Sequence, residues 1–249
     1  MVFMKFTDRC WLSLLYTDCM HLASRRANVL LLLLVSAVAI NYLDRGALSI
    51  AAPLIVKELQ IRPEQMGALF SAFFWTYSSF QLVAGWMVDR YPLKWIYAGG
   101  FLVWSLATAA VGIVYSFPAL LTARLVLGIG ESIAYPASSK IIVRYFSEER
   151  RGLANALVDA GSKVGPGLST LLGAVAIGAF GWRGMFLIAG LGSLLWLLPW
   201  LLVKAPSPVA AAGAEASGPA WSELLRCRQL WGASAGMFAL GYVVYFLLS

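Results

Sequence analysis

The chain has 249 residues, of which 60% are hydrophobic and only 12% are charged, and its mean hydropathy is +0.76. A water-soluble domain of this size needs far more polar surface, so the composition excludes one. The formal net charge of +7 does not indicate a nucleic-acid partner, because the basic residues lie at particular connections between apolar runs.

The first residues of the chain are not expected to form a signal peptide. Asp8, Arg9 and Asp18 interrupt the apolar stretch too often for the hydrophobic region of a leader. We expect residues 1–26 to form a cytoplasmic arm, with Met20 as an alternative translation start.

Seven apolar runs follow, each long enough to cross the roughly 30 Å hydrocarbon core of a bilayer. They are continuously apolar rather than alternating, which favours membrane-spanning helices over barrel strands. The runs, named spans one to seven, are Ala27–Val56, Met66–Val88, Trp95–Tyr115, Pro118–Val143, Gly152–Phe180, Gly184–Val203 and Leu230–Ser249. The chain is therefore predicted to be an all-α membrane protein.

The sixth connection differs from the others in composition. Residues 204–229 are rich in Pro, Ala, Gly and Ser and end in the amphipathic piece "SELLRCRQLW". This composition predicts a flexible cytoplasmic linker followed by a short helix on the membrane surface. We expect a six-helix bundle over 27–203 and the truncated start of a second bundle over 230–249.

Basic residues outside the spans are concentrated on alternate connections. Twelve Lys or Arg residues lie on the arm and after spans two, four and six, against three on the opposite side. This bias predicts a cytoplasmic amino terminus. Cys10, Cys19 and Cys227 lack metal-ligand spacing and His21 has no partner residue, so we expect no metal, no cofactor and no enzyme site.

Ionisable side chains inside the spans each cost about 2.5–3.5 kcal/mol on insertion scales, so they should face a cavity or one another. Arg124 and Glu131 are seven residues apart and return to one face of span four, about 10 Å apart along its axis. The adjacent Asp44 and Arg45 point to different partners, for which we expect Arg124 for Asp44 and an anion or Glu131 for Arg45. The remaining two, Asp159 and Lys163, are an (i, i+4) pair on span five and either neutralise each other or meet a ligand.

The charges are strongest on spans one and four, the first helices of two successive triplets. An inverted repeat of three plus three helices places such residues at mid-membrane on the repeat interface. The alternative is a buried charge network that only locks the helices together. Small residues, among them Gly128, Gly161 and Gly165, are predicted to let neighbouring helices approach closely.

Four motifs resemble one transporter family. "GWMVDRYPLK", residues 85–94, resembles the Gly-x-x-x-Asp-Arg-x-Gly-x-Lys loop signature of the major facilitator superfamily, with Pro92 in place of the second Gly. "NYLDR", "SAFFWTYSSFQLVAGW" and "RLVLGIGESIAYP" resemble its anion:cation symporter branch, which includes bacterial hexonate, glucarate and hexuronate transporters. The resemblance implies the amino-terminal six-helix bundle of a twelve-helix transporter plus a truncated seventh helix, with the missing half needed for full activity.

The resemblance also implies roles for individual residues. Arg45 and Arg124 are expected to contact the substrate carboxylate, and Asp44 and Glu131 to carry protons. Tyr77 is expected to face the substrate, and Tyr42 and Asn41 are weaker candidates. Residues at the second connection are expected to gate the rocking of the two halves, or to serve only as orienting charges: Gly85, Asp89, Arg90 and Lys94.

A charge balance favours proton coupling. At mid-membrane three bases (Arg45, Arg124, Lys163) and three acids (Asp44, Asp159, Glu131) cancel, and protonating Glu131 leaves one positive charge, which suits one carboxylate. We therefore expect a proton-coupled symporter of a small organic anion, a sugar acid, in the bacterial inner membrane. Two alternatives stay open, an organic anion exchanger without proton coupling and an inactive fragment, and the sequence does not identify the anion.

Overall fold

The computed structural model describes the backbone of residues 4–205 and 221–248 and the side chains of residues 25–205, 223 and 225–243. The described backbone is helical and contains no strand. The helices are α1 (Met4–Leu59), α2 (Pro63–Arg90), α3 (Leu93–Val111), α4 (Phe117–Glu131), α5 (Ala134–Tyr145), α6 (Glu148–Ser193), α7 (Leu197–Leu202), α8 (Trp221–Arg226) and α9 (Arg228–Leu248). The chain divides into two compact units at residue 210.

The first unit contains spans one to six, and two of them are interrupted. Span four is divided between α4 and α5, because Pro136 has no N–H to donate to the Ser132 carbonyl one turn before it. Span six is the other, because it begins in α6 and continues through the 3₁₀ helix Leu194–Trp196 into α7. Span five also lies in α6, whose helical backbone breaks between these two spans at Gly181 (φ 69°, ψ 173°). Only glycine adopts that conformation readily, so the sequence boundary between these spans coincides with the break.

Three helical stretches in the described part of the chain are long and apolar enough to cross a membrane by length and composition. They are Arg25–Leu59, Phe117–Tyr145 and Glu148–Leu202, the last of which includes both spans five and six. Helices α2 and α3 are not among them. Large apolar side chains such as Leu32, Leu82 and Leu171 are exposed on the bundle, as expected of a surface that faces lipid.

Small residues set the closest helix contacts, as the sequence predicts. A Cβ at Gly165 would lie 2.6 Å from the Ala39 carbonyl oxygen, and one at Gly128 would lie 2.5 Å from the Phe73 carbonyl oxygen. Span five therefore packs directly on span one, and span four on span two. Each contact joins the first helix of one triplet to the second helix of the other triplet. This is the relation expected of an inverted repeat.

The second unit contains α8 and α9. The predicted short surface helix corresponds to α8, and predicted span seven corresponds to α9. Most of the predicted linker, residues 206–220, lies outside the described residues, as do the side chains of residues 1–24.

Candidate functional site

Two of the predicted charged residues form a buried ion pair between spans one and four. Arg45 Nε donates a hydrogen bond to Glu131 Oε2 at 2.7 Å. The Glu131 side chain is 0% exposed and the Arg45 side chain 13% exposed. The two helices that carry the strongest charges thus meet, with the arginine on the more accessible side.

Three aromatic rings surround the Arg45 guanidinium. The centroids of Tyr42, Phe73 and Tyr77 lie 4.6, 4.7 and 4.6 Å from its central carbon. Ring faces attract a cation, so they hold the guanidinium in place without using its N–H groups. Nη2 of Arg45 is buried and donates to no acceptor in the described part of the chain. With Nε bound to Glu131, the outer nitrogens can receive another anion.

Arg124 contacts one of the three aromatic rings that surround Arg45. Its central guanidinium carbon is 5.2 Å from the Phe73 ring centroid. Its Nε donates a long hydrogen bond of 3.4 Å to the Leu69 carbonyl oxygen. The Arg124 side chain is buried, and the charge of Glu131 acts on it. Phe73 therefore contacts both arginines.

Asp44 and Asn41 are buried beside the ion pair, each 1% exposed. Within the described residues, neither side chain has a hydrogen-bond partner of good geometry. The charges of Glu131 and Arg124 both act on Asp44, and the Thr108 hydroxyl lies near it. The expected approach of Asp44 to Arg124 is therefore electrostatic, without an ion pair.

Asp159 and Lys163 do not form the local pair that their spacing allows. Both residues are exposed, and none of the ion pairs formed by the described residues joins them. The Asp159 carboxylate instead approaches the Ser162 hydroxyl, at 3.4 Å. The expected local neutralisation is therefore absent, and the alternative, that these side chains meet a ligand, stays a prediction.

The predicted gating residues bind across the connection between α2 and α3. Asp89 Oδ1 accepts from Lys140 Nζ at 2.7 Å, which ties α2 to α5. Lys94 Nζ donates to the carbonyl oxygens of Leu201 at 2.6 Å and Val203 at 3.0 Å, which ties α3 to the end of span six.

The rest of this connection is less constrained. The Arg90 guanidinium stacks 5.4 Å above the Trp86 ring centroid, and a Cβ at Gly85 would meet open space. Pro92 has φ −61°, the value that its ring imposes, so the departure from the family signature introduces no backbone strain.

Sequence reasoning missed a second set of contacts between helix ends, at the end of the bundle opposite Lys94. Arg183 forms an ion pair with Glu58, with 3.0 Å between Nη2 and Oε1, and donates to the Val114 carbonyl oxygen at 2.6 Å. Trp182 Nε1 donates to the other Glu58 oxygen at 2.6 Å. The available signal was an acid two residues after span one and a base one residue before span six.

Sequence reasoning also missed Phe73, Thr108 and Lys140. Phe73 lies inside a quoted motif and Lys140 inside span four. A phenylalanine or threonine in an apolar run gives no signal of its own. The lysine was detectable as a charge within a span.

These features together define an all-α membrane bundle of two helix triplets, with a buried charged cluster between spans one and four. Residues 34–249 match the Major Facilitator Superfamily, and the chain belongs to that family.

Its curated relatives are named for organic anions. The chain is 34% identical over 169 residues to the probable sulfoacetate transporter of Cupriavidus necator, covering 68% of this chain and 39% of that protein. It is 29% identical to the probable galactarate/D-glucarate transporter of Escherichia coli K12, covering 89% and 57%. It is 31% identical to the hexuronate transporter of Bacillus subtilis, covering 88% and 54%. The chain thus spans about half the length of these relatives.

A solved structure shows the same fold. A bacterial homolog of the human lysosomal transporter Spinster, inward-facing and unoccupied, matches with a TM-score of 0.71 and 24% identity. The match covers 81% of this chain and 48% of that one.

Proposed function

We propose that this chain forms half of a proton-coupled symporter that carries a small organic anion, a sugar acid, by alternating access. The observation that carries the proposal is the buried contact of 2.7 Å between Arg45 and Glu131. It joins an anion-binding group directly to a group that can hold a proton, at the interface between the two triplets.

The substrate class follows from the chemistry of the arginine. A guanidinium fork matches a carboxylate with two parallel hydrogen bonds and keeps its charge at every physiological pH. The relatives named above carry sulfoacetate, galactarate or glucarate, and hexuronate. All of these are carboxylates, so carboxylate recognition by Arg45 is compatible with each of them.

The coupling follows from charge balance in the buried cluster. Arg45 and Arg124 balance Asp44 and Glu131 when all four are ionised. A proton on Glu131 breaks the ion pair and leaves one positive charge, which a carboxylate then neutralises. Because an uncompensated buried charge is expensive, proton and anion are favoured to bind together and to leave together.

The surrounding polar residues suit a hydroxylated substrate. The rings of Tyr42 and Tyr77 flank the guanidinium, so their hydroxyl groups are placed to contact a polyol next to a carboxylate. Asn41 and Asp44 add a buried amide and a buried carboxyl beside Glu131. We assign Asn41 to substrate binding and Asp44 to a second proton-carrying position.

The connection between α2 and α3 is assigned to gating. Asp89, Arg90 and Lys94 lie at one end of the bundle, and two of them hold contacts that cross between helices. Gly85 leaves open space where another part of the transporter can approach. We place this end of the bundle, together with the amino terminus, on the cytoplasmic side of a bacterial inner membrane.

Transport in proteoliposomes tests the proposal. Because the chain spans about half of its relatives' length, the assay uses the polypeptide at their full length, with counterflow also measured on this chain. D-Galactarate, D-glucarate, D-glucuronate and sulfoacetate are supplied separately, with and without an inward proton gradient. We expect the gradient to drive accumulation of at least one of them; uptake that ignores the gradient would contradict proton coupling.

A further inference from the structure

A groove of about 350 Å³ lies between α2, α3 and the junction of α4 with α5. Its walls are apolar side chains and glycine backbone, among them Met87, Trp95, Gly99, Val103, Ile129 and Ile133. The hydroxyl of Ser132 is its polar exception and already donates to the Ile129 carbonyl oxygen at 2.7 Å. No charged residue of the anion site lines the groove, so it needs a separate explanation.

The groove opens on the surface of α3 that faces outward. Trp95, Gly99 and Val103 follow one another at one-turn spacing and are all exposed. At 1.5 Å per residue, the lining from Trp95 to Val103 is about 12 Å long. A long, narrow apolar slot on the outside of a membrane bundle is open to hydrocarbon chains of the bilayer.

The lining and the exposure of the groove favour one occupant. It presents apolar side chains and backbone around the buried Ser132 hydroxyl, and its mouth is exposed at Trp95, Gly99 and Val103. A dry, open groove on a membrane bundle suits an unbranched alkyl chain, which needs no hydrogen-bond partner.

One end of the groove carries a cation. Arg90 is one turn beyond Met87 on α2, is exposed, and has no acidic partner among the described residues. Its neighbour Asp89 is bound by Lys140. Exposed aromatic rings of Trp86 and Tyr91 flank Arg90, with 6.0 Å between their centroids. Aromatic residues of this kind are enriched at the depth of lipid headgroups.

We infer that this groove binds one acyl chain of an anionic phospholipid, with the lipid phosphate at Arg90. The apolar groove accommodates the acyl chain, and the Arg90 guanidinium favours a negatively charged headgroup. The site is distinct from the anion site and does not depend on which substrate the transporter carries.

Photo-crosslinking in nanodiscs tests the inference on the purified chain. One nanodisc preparation contains phosphatidylglycerol with a diazirine in its acyl chain, and a second contains phosphatidylcholine with the same chain. Crosslinked peptides are then mapped by mass spectrometry. We expect crosslinks concentrated on the groove segments of α2 and α3, with a higher yield from phosphatidylglycerol.

Two variants test the contributions of the lipid's acyl chain and of its headgroup separately. Gly99→Leu fills the groove, and its Cβ meets open space, so the bundle tolerates it; we expect groove crosslinks from both lipids to fall. Gly167→Leu is the matched control, because Gly167 also faces open space and lies outside the groove. Arg90→Gln should keep the chain crosslink and reduce the phosphatidylglycerol preference about fivefold, equivalent to about 1 kcal/mol.

Each outcome decides the inference. Crosslinks spread evenly over all exposed apolar faces, unchanged by Gly99→Leu, would show boundary lipid only and overturn it. Equal yields from both lipids would overturn the headgroup assignment. If Gly99→Leu does not fold, the wild-type crosslink map and Val103→Trp, which blocks the same slot from an exposed position, decide the question.

Discussion

Lys94 and Arg183 occupy the same position in the two triplets, and each caps the end of the other triplet's third span. Lys94 is the second residue of α3 and donates to the carbonyl oxygens of Leu201 and Val203, at the end of span six. Arg183 is the second residue after the break at Gly181 and donates to the Val114 carbonyl oxygen, at the end of span three. The pseudo-symmetry of the inverted repeat relates the two contacts to each other. They lie at opposite ends of the helix pair formed by spans three and six.

The first prediction concerns these caps. Arg183→Ala leaves the half-buried Val114 carbonyl oxygen and the exposed Glu58 carboxylate without their charged donor, so we expect it to lower stability by about 0.5–1.5 kcal/mol, the net contribution of one hydrogen bond. Lys94→Ala should act similarly from the opposite end. Thermal unfolding of the purified chain in detergent measures both effects. Lys57→Ala is the control near Arg183, and a loss as large in that variant would contradict the assignment.

The second prediction tests the close approach of spans one and five. Gly165→Leu drives a side chain into the Ala39 carbonyl, 2.6 Å from the Cβ position, and should destabilise the bundle by about 3 kcal/mol. Gly167→Leu, two residues away, meets open space and should change stability little. Detergent-resistant folding, followed by size exclusion and thermal unfolding, compares them. Equal destabilisation by the two variants would refute the packing argument.

The third prediction separates gating from stability at Asp89. Its pair with Lys140 is partly exposed, so Lys140→Met should change stability by less than about 1 kcal/mol. If the pair gates the bundle, the same variant should alter the transport rate while leaving substrate affinity unchanged. Uptake kinetics in proteoliposomes, together with thermal unfolding, provide both readouts. An unchanged rate would assign these residues to orientation only.

The fourth prediction concerns anion binding. Arg45→Ala removes the fork that receives the carboxylate, and we expect affinity to fall by at least about tenfold, since hydrogen bonds to charged groups contribute about 1.5–3 kcal/mol. Arg45→Lys keeps the charge without the fork and should restore binding only in part. Titration calorimetry with the transported anion measures both variants. Undiminished affinity in Arg45→Ala would remove this residue from the site.

Sequence patterns predict much of this architecture because lipid imposes strong rules on it. Continuous apolar runs place the spans, and the rarity of intramembrane charge singles out Arg45 and Glu131. Gly128 and Gly165 are recognisable as contact points since backbones can only approach at small residues.

Other features depend on geometry between distant helices. Phe73 contacts two arginines only because α2 packs on α4, and Arg183 meets Glu58 only where the ends of two spans converge. Asp159 and Lys163 have the spacing of a pair, yet both side chains are exposed. Spacing along one helix makes a contact possible, whereas the helices packed around it decide whether the two side chains meet.

The most direct test of the proposed coupling is proton movement by Glu131→Gln at the relatives' full length. Proteoliposomes with a trapped pH dye report proton entry while counterflow of labelled anion reports binding and exchange. We expect Glu131→Gln to lose gradient-driven uptake and anion-induced proton entry but to retain counterflow, whereas the exposed-acid control Glu64→Gln keeps all three. Full proton-coupled uptake by Glu131→Gln would contradict the account.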